Sequence, residues 1–210
     1  MIYRFKIWCF IGFINLFLMD GLGAQPWTMV KEKDGIKVYT RTESNSSWKS
    51  YKGEVTFKAP IDKVNALLGT QHIYDWWPKE ITDVKVLGYE TDQSIQYYMV
   101  FKLPWPFKNR DIVSDTRIAT DRVTGESTYA AVPLPRKVPE KPDFIRIKDY
   151  RQIWTVKPEG KENVHVTLEG SINPGGDVPA WLFNMVISET PLKTIEALRK
   201  RSVADASRDQ

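Results

Sequence analysis

The stretch from Ile172 to Lys200 constrains the fold of this chain more than any other. It opens Ile172-Asn173-Pro174-Gly175-Gly176-Asp177, a turn-rich run in which two consecutive glycines give access to positive φ. Asp177 is placed to cap a helix, and Pro179 falls in its first turn, where a missing N–H costs nothing. From Ala180 onward the apolar residues keep a helical period. Trp181, Met185, Leu192 and Ile195 share one stripe that Ser188 interrupts, with Leu182, Val186 and Leu198 beside it. Pro191 either kinks this helix or, with Thr190 as the cap, begins a second segment. Arg199, Lys200 and Arg201 suit the negative end of a helix dipole. Unbroken, the helix is about 35 Å long at roughly 1.5 Å per residue, enough to cross a small domain.

Almost everything before it reads as strand. After a short helical turn over 27–33 and the turn Asp34-Gly35, strands are expected at 36–41 and 48–57. Pro60 then opens a helix over 61–69, with Ile61, Val64, Leu67 and Leu68 on one face. Further strands fall at 83–90, 95–103, 110–120, 126–132, 144–148, 151–156 and 164–172, separated by short turn-like segments. Short separators favour antiparallel hairpins, because a parallel pair needs a long crossover. The pattern predicts an α+β fold, with one antiparallel sheet curved around the C-terminal helix. Neither an internal repeat nor a linker divides the chain, so 25–203 is read as one domain and 204–210 as a flexible tail.

Alternation assigns the faces of the strands. Val164, Val166, Leu168 and Ile172 oppose His165, Thr167, Glu169 and Ser171. Tyr97, Met99, Phe101 and Leu103 oppose Gln96, Tyr98, Val100 and Lys102. Along the next strand Ile112, Ser114 and Thr116 oppose Asp111, Val113, Asp115 and Arg117. The charged set is turned outward, which leaves Arg110 facing inward with Ile112 and Ser114.

The N-terminus carries Arg4 and Lys6, an apolar run from Ile7 to Met19 broken by Gly12 and Asn15, and the small residues of Gly21-Leu22-Gly23-Ala24. This is the pattern of an export signal over 1–24, and the run is too short for the ~20 residues of a comfortable membrane span. The expected location is therefore periplasmic or secreted. Cys9, the single cysteine, lies inside that run, so neither disulfides nor thiol chemistry are expected of the mature chain.

Catalytic patterns are lacking. The two histidines, His72 and His165, have no nucleophile in register, and there is no phosphate loop, dinucleotide fingerprint or metal-ligand spacing. No catalytic residue, metal or cofactor is expected. The net charge of +4 is mild and unclustered, which speaks against nucleic acid and allows at most transient contact with an anionic membrane. The chemistry on offer is aromatic: eight Trp, nine Tyr and nine Phe, enough for either a bulky core or an apolar pocket.

Three runs stand out: Tyr74-Asp75-Trp76-Trp77-Pro78; Leu103-Pro104-Trp105-Pro106-Phe107 leading into Asn109-Arg110-Asp111; and Pro174 to Asn184. Together with Gly35-Ile36-Lys37-Val38-Tyr39 and Trp154 with Pro158, they resemble the START family of lipid-transfer domains in its exported bacterial form. The resemblance covers most of the chain after residue 24. It implies a helix-grip fold whose sheet and C-terminal helix enclose a tunnel for one lipid-like molecule, bound without chemistry. In some sterol-binding relatives a second arginine stands inside the cavity on the strand after Arg-Asp. Here the inward positions are Ile112, Ser114 and Thr116, and Arg117 faces out.

The expected lining is Tyr97, Met99, Phe101 and Ile112 from the strands and Trp181, Met185 and Leu192 from the helix. Arg110, Ser114 and Ser188 would orient a polar group, and Trp105, Phe107 and Pro191 would form a gate. Arg110 has two readings, contact with the guest or a structural pair with a carboxylate at the sheet edge. A monomer is expected. Two rivals remain: a cyclase, aromatase or hydrolase on the same architecture, which would need an inward acid or base, and an interaction module whose own side chains fill the cavity.

Overall fold

The computed structural model describes residues 25–69, 77–91 and 93–206. The expected signal segment, His72 and Tyr74 to Trp76 lie outside them. The described chain runs β1 (Thr28–Lys33), β2 (Ile36–Arg41), β3 (Ser50–Lys58), α1 (Ile61–Gly69), β4 (Ile81–Gly88), β5 (Ser94–Phe101), β6 (Asn109–Thr120), β7 (Ser127–Pro133), β8 (Phe144–Arg146), β9 (Asp149–Glu159), β10 (Asn163–Asn173), α2 (Ala180–Val186) and α3 (Glu189–Ala206).

Nine strands form one antiparallel path, β1-β2-β3-β10-β9-β7-β6-β5-β4, and β8 pairs with β6 in parallel. The long helix packs on the concave side, giving the α+β helix-grip architecture. The residues read as a helical turn, 27–33, instead form edge strand β1. Pairing with β2 across the tight turn at Asp34 (φ 50°) and Gly35 (φ 77°) decides that segment, with a bulge between Met29 and Lys31. The parallel β6–β8 pair departs from the all-hairpin expectation, since residues 134–143 are long enough to carry the chain back along the sheet.

Alternation holds where it was read. Val164, Val166 and Leu168 of β10, Val38 of β2, Val55 of β3 and Val156 of β9 join one core with Leu192, Ile195 and Leu198 of α3. The helix rests mainly on β2, β3 and β10. It comes close because β3 offers Gly53 beneath it: a Cβ there would lie 2.7 Å from Ile195 Cδ1 and 2.8 Å from Pro191 Cβ. The shorter α1 packs on α3, β7 and β9 and buries Val64 and Leu68.

The C-terminal helix is not continuous. It breaks at Ile187-Ser188, and Pro191 takes the third position of α3, where no intrahelical acceptor awaits its N–H. Pro179 stands just before α2 as its cap residue, in place of Asp177. With no glycine or proline after Pro191, α3 runs to Ala206 and so through the first residues assigned to a tail.

The outward face of β5 and β6 is dry. Tyr98, Val100 and Val113 form a second small cluster beneath Leu134, Val138 and Phe144. The strap between β7 and β8 covers them, and with them Asp111, which the charge pattern had placed in solvent.

Candidate functional site

β5 and β6 build the concave wing that lies away from the main seat of α3. Their register sets Phe101 opposite Arg110, Met99 opposite Ile112, Tyr97 opposite Ser114 and Ile95 opposite Thr116. Directly opposed residues in an antiparallel pair share a face. Tyr97, Met99 and Ile112 are buried and Phe101 half-buried, all within the main core. The structure thus brings the strand-borne members of the expected lining together on one patch.

The helix-borne members divide. Leu192 is buried at the start of α3, and Ser188 is half-buried in the turn between the helices. Trp181 and Met185, expected to line the interior, are 68% and 63% exposed on α2, which buries no residue. The break at Ile187-Ser188 resets the helical phase, so the stripe that continues on α3 does not continue inward on α2. The residue tied inward from α2 is Phe183, packed edge-on against Trp48 with ring centroids 5.3 Å apart. Beside it, the Asn184 amide donates to Ser47 O and accepts from Lys49 N–H, both at 2.9 Å. Nothing in helical periodicity marks a half-buried asparagine as this tie.

Of the expected gate residues, Trp105 is 92% exposed at the tip of the β5–β6 connector and Phe107 is half-buried. Pro191 is buried against β3. The break in the helix falls before it, at Ile187-Ser188.

Arg110 is 1% exposed and faces the side its parity predicted. Its expected carboxylate pair is not what it makes. Nε donates to Pro174 O at 3.0 Å, Nη2 to Gly175 O at 2.9 Å, and Nη1 to Lys108 O. Burial lowers its pKa, with the charge of Asp177 acting the other way. One guanidinium thus joins the end of the β5–β6 connector to the double-glycine turn that leads into α2. Gly175 and Gly176 both have positive φ, at 61° and 63°, and Gly176 sits against Ile145 and Arg110 where a side chain would collide.

The carboxylate pair belongs to Asp111 and Arg146 on the opposite face, a pair the sequence reading missed. Burial near Tyr97 and Tyr129 pushes both phenols up, Tyr129 to about 12, so both hydroxyls stay protonated. The Tyr129 hydroxyl donates to Asn65 O at 3.2 Å, whereas neither the Tyr97 nor the Ser114 hydroxyl has a partner among the described residues. On the convex face, Trp27, Arg41, Glu43, Ser50, Arg151 and Glu169 line a cleft of about 240 Å³. No group of three or more His, Cys, Asp or Glu among the described residues is arranged to hold a metal.

A family model described as START domain matches residues 15–204. A STAR-related lipid transfer protein of Xanthomonas axonopodis superposes with a TM-score of 0.76 at 32% identity, covering 83% of this chain and 97% of that one. Among curated proteins, an uncharacterised protein of Pseudomonas aeruginosa is 28% identical over 177 residues, 84% of this chain and 86% of the relative. The phosphatidylcholine transfer protein of Rattus norvegicus is 28% identical over 165 residues, 75% of each chain.

Proposed function

We propose that this chain, which belongs to the START domain family, takes one lipid or similarly apolar molecule between the β5–β6 wing and the last helices and carries it between membranes. Lipid binding and transfer is the general activity that its relatives' names indicate. The observation that carries the reading is the arrangement of the concave side. The long helix rests mainly on β2, β3 and β10, while the inward faces of β5 and β6 bring Tyr97, Met99, Phe101 and Ile112 to the same apolar core from outside that seat. Each Å² of apolar guest surface buried there contributes roughly 25 cal/mol.

Entry is through α2. It buries no side chain of its own, it is flanked by the Arg110-held turn and the Ile187-Ser188 joint, and the Asn184 tie holds its side. Trp105 and Trp181 are both exposed, and Arg110 links the connector that carries one to the turn that leads into the helix carrying the other. Exposed tryptophans are suited to the headgroup layer of a bilayer, which supports transient membrane contact. The N-terminal pattern supports an exported protein, and it acts as a monomer.

Native mass spectrometry of the purified protein tests the reading. A co-purifying lipid, released on unfolding and passed from donor to acceptor vesicles, is expected. A protein that carries no lipid after exposure to vesicles and transfers none would overturn it.

A further inference from the structure

Building on that lipid-binding reading, we infer that the guest bears an uncharged hydrogen-bonding group, a hydroxyl or a carbonyl, and that Tyr97 and Ser114 hold it. The two residues are direct partners in the β5–β6 ladder, so their side chains rise from neighbouring points on one face. That face is the core face, shared with Met99 and Ile112. Tyr97 is 2% exposed and Ser114 0%, and neither hydroxyl has a hydrogen-bond partner among the described residues. Leaving a buried hydroxyl unsatisfied is unfavourable, and phenylalanine and alanine would occupy nearly the same space without that cost. Two orphan hydroxyls rising from paired positions on one core face are what a ligand oxygen would satisfy.

The surroundings settle the charge of that group. A phosphate or a quaternary amine brought inside needs an opposite charge to meet it. The buried charged residues among those described are Arg110, Asp111, Asp115 and Arg146. Arg110 keeps its positive charge, but three of its N–H groups hold the Lys108, Pro174 and Gly175 carbonyls, and it stands four residues from Ser114 along β6, about 13 Å at ~3.3 Å per residue. Asp111 and Arg146 neutralise each other on the outer face, and Asp115, also outward, takes Arg117 at 3.3 Å. None of the four sets a charge beside Tyr97 and Ser114 on the concave side. Tyrosine and serine hydroxyls, in contrast, donate and accept while remaining neutral. In this respect the chain departs from what the name of its phosphatidylcholine-transferring relatives would suggest.

The test uses wild-type protein, Tyr97→Phe, Ser114→Ala and the double variant. Each is incubated with phosphatidylcholine vesicles containing equal small fractions of a diacylglycerol and a sterol, and the retained lipid is identified by native mass spectrometry. Wild type is expected to retain a hydroxyl-bearing lipid in preference to phosphatidylcholine, and the diacylglycerol and sterol signals tell which scaffold carries the group. Each single variant should retain about tenfold less, as loss of one hydrogen bond to a neutral partner implies. The lipid-free variants should melt at or above the wild-type temperature, because the removed hydroxyls had no partner. Preference for phosphatidylcholine, equal retention by the double variant, or a lowered melting temperature of the lipid-free variants would each overturn the anchor while leaving lipid binding in place. Retention of no lipid by any of the four proteins would overturn both.

Discussion

Arg146 grips Asp111 through two parallel hydrogen bonds, Nε to Oδ1 at 2.9 Å and Nη2 to Oδ2 at 2.8 Å, and both side chains are buried on the convex side of the sheet. The same guanidinium also donates to Pro135 O, Val138 O and Pro139 O. One arginine therefore fastens the strap of residues 134–143 over β5 and β6, which form the floor of the proposed site. Replacing Arg146 with Met strands the Asp111 carboxylate in a dry setting and should destabilise the protein by about 3–5 kcal/mol. Adding Asp111→Leu removes the stranded charge and should recover part of the loss in urea unfolding. Recovery stays incomplete, because the strap carbonyls remain without a donor.

Gly53 is where the long helix touches the sheet most closely. Gly53→Ala places a methyl within 3 Å of both Ile195 and Pro191 and should cost about 1–3 kcal/mol as overpacking, read as a lower melting temperature. The same change at Gly35, whose Cβ would meet nothing within 4 Å, tests φ alone at 77°, without a clash.

Asn184 holds α2 from the side through two hydrogen bonds of 2.9 Å. Asn184→Ala should cost at most about 1 kcal/mol of global stability, since the side chain is only half-buried. It should raise amide hydrogen exchange in 180–187 and 47–49 specifically and speed lipid release several-fold. Uniform exchange across the protein would count against a lid role for α2.

Acid should loosen the β2–β3 edge. Glu43 titrates below its ordinary value of 4.5 because Ser50 and then Arg41 hydrogen-bond its ionised form. Burial opposes ionisation of Glu54, but the Tyr39 hydroxyl and Lys52 outweigh it and its pKa is lowered as well. A carboxyl whose folded pKa is depressed adds stability above its unfolded pKa, and that contribution is lost as pH falls through the folded value. Both groups therefore stabilise at neutral pH, and their contribution should fade below about 4.5. Glu43→Gln should flatten the acid limb of a stability-versus-pH curve and leave its shape above pH 6 unchanged.

Trp105→Ser and Trp181→Ser, which alter exposed side chains, should not change the melting temperature. Together they should lower vesicle co-sedimentation and transfer rate several-fold. Undiminished vesicle binding would remove this end of the molecule from the membrane contact.

Local chemistry was enough for much of the architecture. The strands at 36–41 and 110–120, the helix at 61–69 and the inward parity of Tyr97, Met99, Arg110, Ile112 and Ser114 are all legible, because period and punctuation are properties of neighbouring residues. The same holds for the stripe of Leu192, Ile195 and Leu198 that seats α3. Residues 27–33 were misread because a strand of middling propensity is decided by the partner it finds, here β2.

Other features depended on which segments meet across the chain. Asp111 reads as a solvent charge until the chain 35 residues later brings Arg146 to it, and Arg110 reads as wanting a carboxylate until the double-glycine turn supplies two carbonyls beside that of Lys108. Trp181 and Met185 keep the period of a buried stripe, yet the break at Ile187-Ser188 turns them to the outside. Sequence by itself determined the elements and the faces of the strands, since these follow from spacing along the backbone. The tertiary structure alone decided which buried polar groups are satisfied and which, among the described residues, are not, since a hydrogen bond needs a partner that spacing does not name.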